Sequence, residues 1–382
     1  MWRWLTSPPQ KHHWLLLAAL LIVGFFAVFF LSHRHPLFPF KELWRQRDGG
    51  QPGWMRDIAF SPGGSQLIST NNQGLLIWRV QDGQLLRTIP LPAGSRAMLS
   101  PDGSVAAIYK EDGTITLLRL PDGQPLRTIK ERPWTVRTLH GSKQAFSPFV
   151  GGFNFSPDSR FLLVVSNATG KIHIWRVTDG RKVAELPIPQ NLLAAALSPN
   201  ARLLATYDFV KCSVTVWEVA TMRRLRQWHV GTCIDKLGFS PDGKQILASG
   251  NVWGPFCKLI LISIADGKLM DLNLDYGFLQ SATFSPTEPF VAAGIHKNWD
   301  LLARLRPKVV ERIFKQYLGT IGPAFWVHRN TLSLWNYTTQ QRWDLSLKQR
   351  DDPSSVAFSP DRQYLAVITL SGEVILLRRR VK

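Results

Sequence analysis

Residues 58–89 read IAFSPGGSQLISTNNQGLLIWRVQDGQLLRTI, and their order of apolar runs and turns decides the fold. A short apolar strand runs into Ser61-Pro62-Gly63-Gly64, where Pro presets φ, Ser can bond the backbone, and Gly fits the last turn position. A second strand from Gln66 to Ser69 ends at Asn71-Asn72. A third, LLIWRV at 75–80, is almost continuously apolar, as a strand covered on both faces must be. Asp82-Gly83 is a strong hairpin signal, and a fourth strand follows through Leu85 to Ile89.

The unit recurs. Ser-Pro pairs open it at Ser61, Ser100, Ser156, Ser198, Ser240, Ser285 and Ser359, and Asp-Gly turns return at 122–123, 179–180 and 266–267. A period of about 40–45 residues made of four short strands is the mark of a β-propeller. Third strands can be counted separately, around Trp78, Leu118, Trp175, Trp217, Ile262, Leu302, Trp335 and Leu377. That count gives eight blades, which we favour, with seven as the alternative. Seven follows if 307–319 (PKVVERIFKQYLG) is an inserted helix, as its opening Pro, closing Gly and apolar spacing suggest. The last unit supplies three strands only. Residues 41–47 repeat the fourth-strand pattern, so they are expected to complete that blade and remove its open edge.

The Ser-Pro-Asp-Gly turn and the Ile172-His173-Ile174-Trp175 pattern make the chain resemble a divergent bacterial-type WD40 family over about residues 41–382. The family's Trp-Asp pair stands here as Trp78-Arg79, Trp175-Arg176, Trp217-Glu218 and Trp335-Asn336, and its Gly-His pair is missing. These departures bear on the family's buried Asp-His-Ser/Thr-Trp network, not on the propeller. The nearest rival at the level of fold is the periplasmic propeller of the TolB-like kind. The resemblance implies an all-β, WD40-like propeller that binds other proteins.

Residues 14–31 (WLLLAALLIVGFFAVFFL) carry no charge, at the threshold length for spanning a bilayer, with no small-x-small cleavage site after them. The expectation is one transmembrane helix and a single-pass membrane protein. Its parts are a tail and anchor at 1–32, a linker at 33–40 and the propeller at 41–382. The flanking charges nearly tie, leaving the side of the membrane open, although a short basic tail before an apolar core is the export pattern.

Composition is basic: 46 Lys and Arg against 27 Asp and Glu, a net charge of +19. Such a surplus suits anionic surfaces or acidic proteins, or is simply a solvated surface. No nucleic-acid motif accompanies it, so nucleic acid is not the expected partner. Three cysteines are too few for a disulfide framework. Cys212 and Cys257 should not pair, because packed sheets sit about 10 Å apart; Cys233 is left open.

No phosphate loop, zinc-protease motif or nucleophile elbow is present, and no histidines have ligand spacing, so neither catalysis nor a cofactor or metal is expected. The fourth-to-first and second-to-third loops share one face of a propeller. Trp134, Arg137, Phe209, Trp253, Phe256, Tyr276 and Trp299 map there and form the expected partner-binding set. The competing reading is that these rings pack onto the blade tips. The expected function is a membrane-anchored, non-catalytic protein-binding or scaffolding module. The alternatives are a periplasmic enzyme using the axial channel, or polyanion binding by the basic surface.

Overall fold

The computed structural model describes residues 37–51, 56–92, 94–110, 112–131, 153–166, 169–189, 191–232, 234–250, 258–272, 278–296, 330–348 and 351–380. The chain divides into two units, Met1–Phe38 and Pro39–Lys382. Of the first, only Leu37 and Phe38 are among the described residues.

In the second unit the described strands form seven four-stranded antiparallel sheets. Blade 1 has strands Ile58–Phe60, Gln66–Thr70, Gly74–Arg79 and Leu85–Pro90. Blade 2 has Arg96–Leu99, Val105–Tyr109, Thr114–Arg119 and Gln124–Lys130; blade 3 has Phe153–Phe155, Phe161–Ser166, Lys171–Arg176 and Lys182–Pro187. Blade 4 has Leu192–Leu197, Leu203–Asp208, Ser213–Glu218 and Arg224–His229; blade 5 has Lys236–Phe239, Gln245–Gly250, Lys258–Ser263 and Leu269–Asp271. Blade 6 has Phe278–Phe284, Phe290–His296, Thr331–Asn336 and Gln341–Ser346. Blade 7 has Pro353–Phe358, Tyr364–Thr369 and Glu373–Arg379, with Phe40–Arg47 as its fourth strand.

The favoured count of eight blades is therefore corrected to seven. Phe290–His296 pairs directly with Thr331–Asn336, from Phe290↔Asn336 to Ile295↔Thr331, so the described strands on either side of Leu302 belong to one blade. Residues 297–329, including the expected helix at 307–319, lie outside the described residues. The Ser-Pro turns counted correctly because each joins the first and second strands of one blade. Apolar runs overcounted, because four or five apolar residues do not distinguish a strand from other buried segments.

The anchored, single-pass arrangement is corrected as well. The described residues are strands and turns, and no helix among them is long and apolar enough to cross a membrane. The expected span at 14–31 lies outside the described residues. The resemblance to an anchored WD40 protein narrows to a seven-bladed β-propeller.

Alternating side chains on the middle strands explain the continuous apolar runs. In blade 1, Leu67, Leu76 and Trp78 join a core shared with Ala366, Ile368 and Leu376 of blade 7. Their neighbours Ile68, Leu75 and Ile77 join a core shared with Ala106 and Ile108 of blade 2. One period-two strand thus fills two cores, and burying each such side chain contributes about 1.5–3 kcal/mol.

The Ser of each Ser-Pro is buried, and in all but Ser285 its hydroxyl ties the turn. Ser100 Oγ donates to Asp102 at 2.7 Å and accepts the Val105 amide at 3.0 Å. Ser156, Ser240 and Ser359 make the same bond to Asp158, Asp242 and Asp361. Ser285 opens Ser-Pro-Thr-Glu, has no such Asp, and its buried Oγ has no hydrogen-bond partner.

The ring closes as the strand order predicts. Phe40–Arg47 pairs with the third strand of blade 7, from Phe40↔Arg379 to Arg47↔Glu373. Behind it Arg56 is fully buried and donates to Asp48 at 2.6 Å, to the Leu370 carbonyl at 2.8 Å and to the Gln51 carbonyl at 2.8 Å. The blade 7 fourth strand also carries Trp44, whose indole donates to the Val80 carbonyl of blade 1 at 2.8 Å. Gly83 (φ +74°) packs against that ring, and a Cβ there would lie 2.7 Å from it.

Candidate functional site

First strands of successive blades touch one another around the axis, for example those of blades 4 and 5, 6 and 7, and 7 and 1. The residue four before each Ser-Pro serine therefore belongs to one ring, on the side of the fourth-to-first loops. Its members are Asp57, Arg96, Ala194, Lys236, Ser281 and Ser355; in the later five, each pairs with the residue nine beyond its own serine. The equivalent Gly152 of blade 3 lies outside the described residues.

Asp57 joins three blades. It accepts from its own blade at Ile58 N (2.9 Å), from blade 2 at Leu99 N (2.9 Å) and from blade 7 at Ser355 Oγ (3.1 Å). Across the axis, Lys236 of blade 5 donates to the Gln280 carbonyl of blade 6. Lys236 is exposed, yet the protein around it partly desolvates its ammonium. Enclosure pushes the Asp57 carboxyl above the usual carboxylate range, against the three donors and Lys236 that pull it down. Enclosure likewise pushes the Lys236 ammonium down, against the attraction of Asp235 and Asp57. With three donors on two oxygens, Asp57 works as a tie between blades rather than as a proton shuttle.

Of the residues expected to bind partners, Phe209 is described. It lies in the second-to-third loop of blade 4, 38% exposed, beside Val210 at 62%. The loop is shaped by Asp208, whose carboxylate accepts the Val210 and Lys211 amides at 2.9 and 3.0 Å. Trp134, Arg137, Trp253, Phe256, Tyr276 and Trp299 lie outside the described residues, as do Cys233 and Cys257. Cys212 is a free thiol.

The structure adds a group that the sequence reading passed over. His173, on the third strand of blade 3, is buried, and its Nδ1 lies 2.8 Å from both carboxylate oxygens of Glu131. An ionised carboxylate only accepts, so Nδ1 carries the proton. Trp175 Nε1 donates to Glu131 Oε1 at 2.7 Å, and the imidazole meets the indole edge-on. Glu131 directly follows the fourth strand of blade 2, so this cluster ties the end of that strand to the third strand of blade 3. A signal did exist. Leu91, Ile188 and Val230 occupy the corresponding position in blades 1, 3 and 4, so Glu131 breaks an apolar pattern.

In other blades the third-strand Trp finds a hydroxyl. Trp78 Nε1 donates to Ser69 Oγ at 2.9 Å and Trp217 Nε1 to Thr206 Oγ1 at 2.8 Å. That is the Trp-to-hydroxyl half of the network that the WD40 resemblance implied. Among the described residues, no group of three His, Cys, Asp or Glu side chains could hold a metal ion.

No family model matches the chain. Over 190 residues, 47% of this chain, it is 27% identical to Telomerase protein component 1 of Rattus norvegicus. The match spans only 6% of that protein's length.

Proposed function

We propose that this seven-bladed propeller is a protein-binding module whose partners engage the face built by its fourth-to-first and second-to-third loops. The observation that carries the reading is the exposure of Phe209 and Val210 at the tip of their loop. Rings that served only to cap blade tips would be packed down. A solvent-facing apolar pair next to Lys211 has the composition of an interface centre. The Glu131–His173–Trp175 cluster supports the same face, since a buried hydrogen-bond network ties the end of the blade 2 fourth strand, where a fourth-to-first loop leaves, to blade 3. Trp134, Arg137, Trp253, Phe256, Tyr276 and Trp299 complete the proposed surface.

The test compares Phe209→Ser/Val210→Ser and the single changes Trp134→Ala, Trp253→Ala and Trp299→Ala with the parent chain. Partners cross-linked in cells should be lost from these variants while melting temperatures stay within about 2 °C, the outcome for side chains spent on binding rather than packing. Unaltered partner sets, or large drops in melting temperature, would refute the assignment of this face.

A further inference from the structure

A second surface lies on the outer rim, away from the loop face. The fourth strand of blade 4 is RLRQWH at Arg224–His229, preceded by Arg223. Arg223, Arg224 and Arg226 are exposed. Among the described residues no carboxylate lies within ion-pair distance of any of the three.

This sets blade 4 apart from blades 3, 5 and 6; blades 1 and 2 carry Thr88 and Thr128 at the position compared below, and blade 7 carries Arg45. At the fourth-strand position opposite the residue two before the third-strand Trp or its equivalent, blades 3, 5 and 6 carry an acid. These are Glu185 (opposite His173), Asp271 (opposite Ile260) and Asp344 (opposite Ser333). Each neutralises local cations: Glu185 with Lys171 and Lys182, Asp271 with Lys258, and Asp344 with Arg342. In blade 4 the same position, opposite Thr215, is Gln227. Its carbonyl accepts from Arg224 Nη1 at 3.1 Å and its amide donates to Ser213 Oγ at 2.9 Å. Gln227 thus orients the first guanidinium without discharging it.

The turn before the strand differs in the same sense. Blades 1, 2 and 3 pair a third-strand Arg with the turn Asp: Arg79–Asp82, Arg119–Asp122 and Arg176–Asp179. Blade 4 has Glu218 and Thr221 there, and the Thr221 hydroxyl, not an arginine, takes the Glu218 carboxylate, at 2.5 Å. The one acid of the turn is satisfied locally and the arginines are left over.

We infer that the outer strand of blade 4 is a docking site for an acidic peptide segment of a partner protein, read by guanidinium–carboxylate pairs. Arginine presents a planar fork that matches a carboxylate in bidentate fashion. Recognition runs through side chains rather than strand addition, because a bulge between Val216 and Trp217 opposite Leu225 guards this edge against backbone pairing. A peptide fits better than a nucleic acid. Arg223 to Arg226 span only about 10 Å of chain, a short segment. Trp228, the aromatic of this strand, is buried and offers no base a stacking surface.

The probe is a fluorescent (Glu-Ser)5 peptide, titrated with the full chain at about 0.1 M salt, where exposed charges more than about 10 Å apart are screened. The parent should bind it, and Arg224→Gln/Arg226→Gln should weaken the Kd at least tenfold. Gln227→Glu, which restores the pattern of blades 3, 5 and 6 without removing an arginine, should weaken it about fivefold. Arg127→Gln/Lys130→Gln, an equal loss of charge from the outer strand of blade 2, should change it less than twofold. Equal losses for the blade 2 and blade 4 variants would mean diffuse net charge and would overturn the inference. So would an unmoved Kd in Gln227→Glu, no binding by the parent, or a ten-nucleotide DNA that competes better than the peptide.

Discussion

The fourth strands of blades 7 and 4 both carry arginines on the rim of the ring, and they use them in opposite ways. In blade 7, Arg45 meets Asp351 at 2.6 Å and Glu42 at 3.0 Å, and Arg47 meets Glu373 at 2.7 Å. Directly behind, Arg56 and Asp48 are buried together. In blade 4, Arg223, Arg224 and Arg226 meet no acid among the described residues. The blade that must be assembled from distant parts of the chain spends its charges on its own seam. The blade that folds from one continuous stretch needs no such seam and leaves its charges facing outward. An outer arginine therefore has to be read through its partners, not its position.

The comparison breaks most sharply at Asp48. Asp48→Asn leaves the Arg56 guanidinium buried without its counter-charge, and should cost about 3–5 kcal/mol of stability in urea unfolding. Truncating residues 1–48 should be at least as damaging, whereas removing 1–38 should leave the closing strand in place. Equal unfolding midpoints for the two truncations would show that Phe40–Arg47 is not what holds the ring shut.

Next in size, Glu131→Gln should cost about 1.5–3 kcal/mol, the worth of charge-assisted bonds to His173 and Trp175. Tryptophan fluorescence should report the freed Trp175. A third measurement sets one arginine against another. Arg45→Gln takes the guanidinium from Asp351, whose side chain is 4% exposed and keeps the Lys348 amide as donor, and should cost about 1.5–3 kcal/mol. Arg224→Gln should stay within about 0.5 kcal/mol of the parent, since its bond to Gln227 is exposed and pairs it with no charge. If both changes cost the same, the contrast between the two blades is empty.

The smallest expected effect concerns Glu185, the acid that blade 4 lacks. Hydrogen bonds from Lys171, then Lys182, pull its carboxyl down to about 2. A depressed carboxylate lends stability that is present above its unfolded pKa, near 4.5, and is lost as pH falls through about 2. Glu185→Gln should therefore flatten the shift of the urea midpoint between about pH 5 and pH 2. An unchanged slope would show that this exposed acid is decorative.

Much of the architecture could be read in the residues because its signals are local. Ser-Pro turns other than that of Ser285 close within five residues through their own hydroxyl, as Val105 to Ser100 shows, so counting those local turns counts blades. The extra blade came from treating an apolar run at Leu302 as evidence of equal weight, although such a run carries no turn geometry. The site was less legible. Glu131 and His173 are 42 residues apart, and their contact depends on how two blades pack. Only the broken apolar pattern at Glu131 pointed to it. Asp57 was invisible for the same reason, since its donors at Leu99 and Ser355 come from two other blades.

The closing strand sets a timetable for synthesis. Arg47 is made 326 residues before Glu373, its partner across the final ladder. At roughly 5–20 residues per second, that strand leaves the ribosome about 15–65 s before anything exists for it to pair with. Through that interval it is a bare edge beside a growing, unfinished ring. Lys41, Glu42, Arg45 and Arg47 make half of its eight residues charged, which keeps a waiting strand in solution and away from wrong edges. The ion pairs of the finished seam are thus the same side chains that guard the strand while it waits.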